Sequence, residues 1–312
     1  MKIALSYRVD FYPMGENLSR AEMRHATPVP VESYARCVHA ELEKLGHTVD
    51  NVYGQEFTNT DYYDVYLELD NGRDAEGKLG FGKHINRSDI CIPMAVWFVD
   101  SHGQPALHKD LAPAYSHVCF AVWDKRDLFQ GHPSAHWCPN ATDTRFFYTS
   151  ETEPQFDFGF FGSKTGLDRA DKMIEICKKN GWTYDVRQIG GGPFKHKWPR
   201  TCEAMQNCKV LFNHGQKHDG PNLRVLESMA VGRPLISDLE ERSGMSRLFK
   251  AGEHYLDYES YTKNGLEEKM KWAMENDVYA LIMADRAWHE VRAKHLIKNR
   301  VEQMLEVFNA TL

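Results

Sequence analysis

No apolar run in the 312 residues approaches the roughly 20 needed to span a bilayer. The opening Met1-Lys2-Ile3-Ala4-Leu5-Ser6-Tyr7-Arg8 is too short and too soon charged for a leader peptide, and reads as a first buried strand. The seven cysteines are scattered, odd in number and never spaced Cys-x-x-Cys, which argues against a zinc site and a disulfide framework and for a reducing cytoplasm. The Asn-x-Ser/Thr triplets at Asn17, Asn140 and Asn309 are then chance matches. There is no large charge of either sign: the formal balance of −6 gives no general attraction to phosphate backbones or anionic membranes. Internal repeats and low-complexity segments are also missing. What remains, 42% apolar and 26% charged residues, is the composition of an ordinary globular chain long enough for two packed domains.

Strand and helix patterns alternate from the start. Residues 2–7 read as a strand, and 31–46 as a helix with Lys44 in its last turn and Gly46 at its end. Apolar stretches follow at 48–53 and 65–69. Residues 90–99 form a long apolar run, read as a buried strand interrupted by Pro93, and 117–122 read as another strand. The periodicity fails between Cys138 and Pro154, which places a domain boundary there. A second alternation then begins: strand 156–161, helix 168–180 stopped by Gly181, strand 182–189, a turn at Gly190-Gly191-Gly192, helix 198–207, strand 210–213, helix 221–231 and strand 234–237. Residues 260–310 read as almost wholly helical. Two successive alternations predict two parallel-sheet domains facing each other across a cleft, over residues 1–152 and 153–312, with helices at the C-terminus.

The stretch Asp219-Gly220-Pro221-Asn222-Leu223-Arg224-Val225-Leu226-Glu227 sits where a strand ends and a helix begins. Pro221 suits a first helical position, and Gly232 a helix end. Ligands of open parallel sheets bind beyond the carboxyl ends of the strands. There the amides of Asn222, Leu223 and Arg224, with the positive helix end behind them, make a cradle for a diphosphate. Asp219 and Glu227 can accept hydrogen bonds from sugar and ribose hydroxyls.

This stretch resembles the signature of retaining GT-B glycosyltransferases, two acids separated by seven residues and followed by a small-residue helix and Gly-x-Pro. Asp219 stands where Glu is usual, and Glu227 matches the second acid. Asn222, Arg224 and Glu227, spaced Asn-x-Arg-x-x-Glu, are more similar to the CgeB-like glycosyltransferases. Residues 251–258, Ala293-Lys294-His295 and Asn299-Arg300 resemble later parts of that family, so the likeness covers roughly residues 135–312.

The resemblance implies two Rossmann-like domains: an N-terminal one for the acceptor, and a C-terminal one for a nucleotide sugar, with UDP-glucose the default. By it Glu227 holds the donor ribose, and Asp219, with Gly220 beside it, contacts the transferred sugar. Leu223, Asn222 and Arg224 hold the diphosphate, and Lys164 or Arg169 neutralises the leaving group. No Asp-x-Asp occurs, so the metal-holding motif of the other major glycosyltransferase fold is absent, and no metal is expected. Asp100 and His102, at the end of an apolar strand in the first half, are the candidates for activating or orienting the acceptor. His214 and His218 are not spaced for zinc on a strand end and loop, and His132 and His136 lack a third ligand. A nucleotide-sugar epimerase and a non-catalytic sugar-binding protein are the rival readings. The acceptor stays open among glycan, protein, small molecule and DNA base.

Overall fold

The structure is a computed structural model and describes residues 1–7, 34–52, 60–69, 90–99, 101, 105–162, 169–188, 197–215, 222–238, 244–258 and 265–309. The triple glycine at 190–192 lies outside them. The strands form two sheets, parallel throughout. The first has the order β2 (Thr48–Asn51), β1 (Lys2–Ser6), β3 (Val65–Leu69), β4 (Met94–Phe98), β5 (His117–Phe120), β6 (Ala135–Trp137). The second has the order β11 (Leu256–Tyr258), β10 (Leu235–Asp238), β9 (Cys208–Asn213), β7 (Phe156–Gly162), β8 (Tyr184–Gln188). This is the two-sheet GT-B architecture.

Both faces of each sheet are covered, which is why the central strands read as near-continuous apolar runs. On β3, Val65, Leu67 and Leu69 enter one core while Tyr66 enters the other; on β4, Ala95 and Trp97 oppose Met94, Val96 and Phe98 in the same way. Pro93 does not interrupt a strand but precedes one, the position at which its missing N–H breaks no ladder bond. In the second sheet Gly159 allows β7 to lie close to β9. A Cβ there would stand 2.5 Å from Cys208 Sγ.

The described helices are α1 (Tyr34–Lys44), α2 (Pro105–Leu111), α3 (Asp171–Asn180), α4 (Lys197–Gln206), α5 (Leu223–Ala230), α6 (Met245–Leu248), α7 (Gly265–Glu275), α8 (Asp277–Lys294) and α9 (Ile297–Asn309). None is long and apolar enough to cross a membrane. The C-terminal tail is thus three helices, and the last of them changes sides. Ile297, Val301, Met304, Leu305 and Phe308 of α9 pack with α1 and the first sheet in one core. Burial of such side chains contributes about 1.5–3 kcal/mol each.

Hydrogen bonds fix this return. Thr142 and Leu296 form an isolated parallel bridge. Arg300 is buried; its Nε donates to Pro139 O at 2.8 Å and its Nη2 donates to His295 Nδ1 at 2.9 Å. Because Arg300 can only donate, His295 Nδ1 must accept, and the ring proton sits on Nε2. The halves also touch through Trp123, which follows β5. Arg247 of α6 lies 4.0 Å over its ring, and Gly244 (φ +78°) fits where a Cβ would stand 2.7 Å from Trp123 Cβ.

Burial, with Arg300 as the second cause, lowers the His295 pKa from 6.5 to about 4; His117 and His254 are lowered by burial first. The folded state therefore binds fewer protons than the unfolded one between those pH values. The contribution of these histidines to stability is complete above about pH 6.5 and is lost as pH falls toward 4. Melting temperatures across that range will show the decline, and His295→Gln, which keeps an acceptor for Arg300, will flatten it. Phe308→Ala will cost about 3–5 kcal/mol in denaturant unfolding.

Candidate functional site

In each sheet the strand order reverses at one place, and the crevice there is where such sheets bind ligands. In the second sheet β7 has β8 on one side and β9 on the other, so the crevice opens above Gly162 and Asn213. The corresponding place in the first sheet lies between β1 and β3, above Ser6 and Leu69.

Asn222 is the N-cap of α5, with φ −70° and ψ 163°. Its Oδ1 accepts from Val225 N at 3.2 Å, and its Nδ2 donates to Asn213 Oδ1 at 3.2 Å. Asn213 Nδ2 donates in turn to Ser237 Oγ at 3.0 Å. A buried amide chain thus pins the start of α5 to the ends of β9 and β10. The helix begins at Leu223, not at residue 221, so Pro221 precedes the cap instead of occupying the first helical turn. Leu223 and Arg224 are the first-turn residues, whose amides have no acceptor within a helix.

Glu227 is buried at 4% exposure and pairs with Arg224 one turn earlier. The Arg224 side chain is 18% exposed, and its Nε is buried without a hydrogen-bond partner. A guanidinium held by a buried carboxylate, with one N–H unspent, sits beside the positive end of the helix. Such an arrangement suits an anion.

A second group meets at the same strand ends. Asp238 ends β10, with its side chain 4% exposed. Its Oδ1 accepts from Gly215 N at 2.7 Å, and its Oδ2 lies 3.4 Å from His214 Nδ1. Tyr258, the last residue of β11, places its hydroxyl 2.5 Å from the same nitrogen. Burial first, then Asp238, pushes the Tyr258 pKa up, so it remains a neutral phenol. Arg169, before α3, reaches over to donate to His214 O at 3.4 Å. The only sequence signal was an acid closing the apolar strand Pro234-Leu235-Ile236-Ser237.

Of the expected donor residues, Asn222, Leu223, Arg224 and Glu227 therefore gather on α5, with Arg169 across the crevice. Lys164, Asp219 and Gly220 lie outside the described residues, as do Asp100 and His102 in the first half. Ser101, between these last two, is fully buried and bonded to His108 Nδ1 at 3.2 Å. Glu68, near the end of β3, is buried and accepts from Tyr115 OH. Among the described residues, no group of three or more His, Cys, Asp or Glu side chains is placed to hold a metal ion.

A family model described as glycosyl transferase-like matches residues 144–306, just over half of the chain. The chain belongs to the glycosyl transferase-like family. The matched region holds the whole second sheet, α5 and the Asp238 group.

Solved structures repeat the architecture at low identity. TarM of S. aureus is 16% identical at a TM-score of 0.60, over 88% of this chain and 58% of TarM, so the chain spans little more than half of that protein. HepE of Anabaena, solved with UDP and glucose, is 11% identical at 0.57, over 99% of this chain and all of HepE. A DNA-modifying β-glucosyltransferase, solved with and without uridine diphosphoglucose, is 15% identical at 0.60 with the same coverage. No curated protein sequence matches the chain. At these identities the structures establish the fold and leave the chemistry to the residues.

Asp238→Ala strips the Gly215 amide of its acceptor and His214 of the carboxylate beside it. Removing the partner of a buried donor costs about 1–3 kcal/mol, and thermal unfolding will register a loss of that size.

Proposed function

We propose that this protein transfers a sugar from a nucleoside diphosphate sugar to an acceptor bound by its N-terminal half. The observation that carries the reading is the capped amino end of α5. There a paired but incompletely bonded Arg224 and a buried Glu227 stand beside the crevice between β7 and β9.

In this reading the amides of Leu223 and Arg224 and the Arg224 guanidinium hold the diphosphate, with Asn222 keeping the helix end in place. Glu227 accepts from the ribose hydroxyls. Asp219 and Gly220 face the transferred sugar, while Lys164 and Arg169 meet the charge that develops on the leaving group. Cations and amides aimed at that charge stabilise the transition state without a metal. Asp100 and His102 orient or deprotonate the acceptor hydroxyl.

The two acids, Asp219 and Glu227, support the retaining class and its CgeB-like branch, and UDP-glucose is the donor proposed. HepE and the β-glucosyltransferase, two proteins of like fold, were solved with UDP and with uridine diphosphoglucose, which favours uridine. Residues 1–152 form the acceptor domain and 153–312 the donor domain, closing about the connector near 150–155. The seven free cysteines fit a reducing cytoplasm.

Calorimetric titration with UDP, UDP-glucose and other nucleotide sugars tests this. One nucleotide sugar will bind selectively. Glu227→Ala, removing charge-assisted hydrogen bonds worth about 1.5–3 kcal/mol, will weaken it by roughly ten- to a hundredfold. Arg224→Ala will weaken UDP more than uridine. A folded protein that binds none of these is not a transferase of this kind.

A further inference from the structure

Four of the seven large apolar side chains exposed on the described surface fall within five residues at the start of α8. They are Val278, Tyr279, Leu281 and Ile282, at 62, 66, 50 and 44% exposure. The opposite face of α8 is committed to the fold through Ala280, Met283, Ala284, Ala287 and Val291. At 100° per residue Val278, Ile282, Asp285 and His289 form one outward stripe, with Tyr279 and Arg286 along one flank. Beside it opens a cavity of about 480 Å³ whose lining includes Leu281, Met274, Pro234 and Glu153. Lys209 at the amino end of β9 and Arg233 before β10 also line it, so this face lies at the sheet edge opposite the donor crevice.

A patch of this kind on a folded chain marks a contact surface. An anionic bilayer is a poor occupant, because Asp277 and Asp285 flank the patch and the chain carries a net −6. A second copy of the same chain fits it. Tyr279 and Arg286 lie two turns apart on one flank, centred close to Ile282. Among the described residues the Arg286 side chain makes no ion pair or hydrogen bond, and neither does that of Tyr279. An antiparallel pairing of two α8 helices about a twofold axis at Ile282 sets each Tyr279 ring against the partner's Arg286, a cation–π contact made twice by symmetry. It also sets Asp285 beside the first turn of the facing helix, where its dipole favours an anion.

We propose that α8 is the seam of a twofold dimer of this chain, which leaves both donor crevices open. Because Ile282 meets its own copy, the test is specific. By sedimentation velocity the protein will have twice the 36.0 kDa chain mass. Ile282→Glu and Ile282→Lys will each be monomeric with the wild-type circular dichroism spectrum, and an equimolar mixture of the two will recover the dimer. Arg286→Ala, which removes both copies of the contact, will weaken dimerisation by about fivefold to several hundredfold. A monomeric wild type overturns the proposal, as does a dimer indifferent to these changes or a mixture that stays monomeric. So does a monomer that floats with phosphatidylcholine vesicles and loses that binding in Ile282→Glu, which would assign the patch to lipid.

Discussion

Two sheets that share no strand are held facing each other chiefly by a helix that leaves the second and packs on the first. The α9 helix buries five apolar side chains against α1 and the first sheet, while the turn before it is clamped by His295, Arg300, Pro139 and Thr142. The crossing polypeptides at 139–142 and 295–300 therefore run side by side. Relative movement of the halves must bend both. The price is a buried histidine kept neutral and a buried guanidinium satisfied by a backbone carbonyl and an imidazole.

The second sheet is arranged on the same principle of buried polar groups fixing the ends of secondary structure. Asn213, Asn222 and Ser237 form one chain of hydrogen bonds, and Asp238, Gly215, His214 and Tyr258 form another. Each links adjacent strand ends, so residues 213–215 and the start of α5 are positioned from below. An isolated buried Asp or Glu is costly; Asp238 and Glu227 are instead placed against a backbone amide and an arginine.

The alternation of apolar strands with capped helices was legible because central parallel strands are buried on both faces and cannot be polar. The end of α1 before Gly46 and of α3 at Gly181 followed from ordinary stop signals, and both glycines adopt positive φ. Elements at the margins were not legible. β6 and β11 have three residues each at sheet edges, too short for a period to show, and β6 carries His136 between half-buried neighbours. The start of α5 was misplaced by two residues because proline and asparagine both suit a helix entrance, and only the side-chain bond from Asn222 to Val225 decides between them. The Asp238 group was invisible for a different reason. It is assembled from β9, β10 and β11, and its members are single polar residues at strand ends with no spacing relation among them.

Amide hydrogen exchange with and without UDP bears most directly on the claim that the nucleotide sits at the amino end of α5 above β7 and β9. The account predicts that UDP slows exchange at residues 213–215 and 222–227, and leaves the cavity-lining segments 273–281 and 150–154 unchanged. Slowing confined to the cavity segments, or none anywhere in a folded protein saturated with UDP, would contradict it.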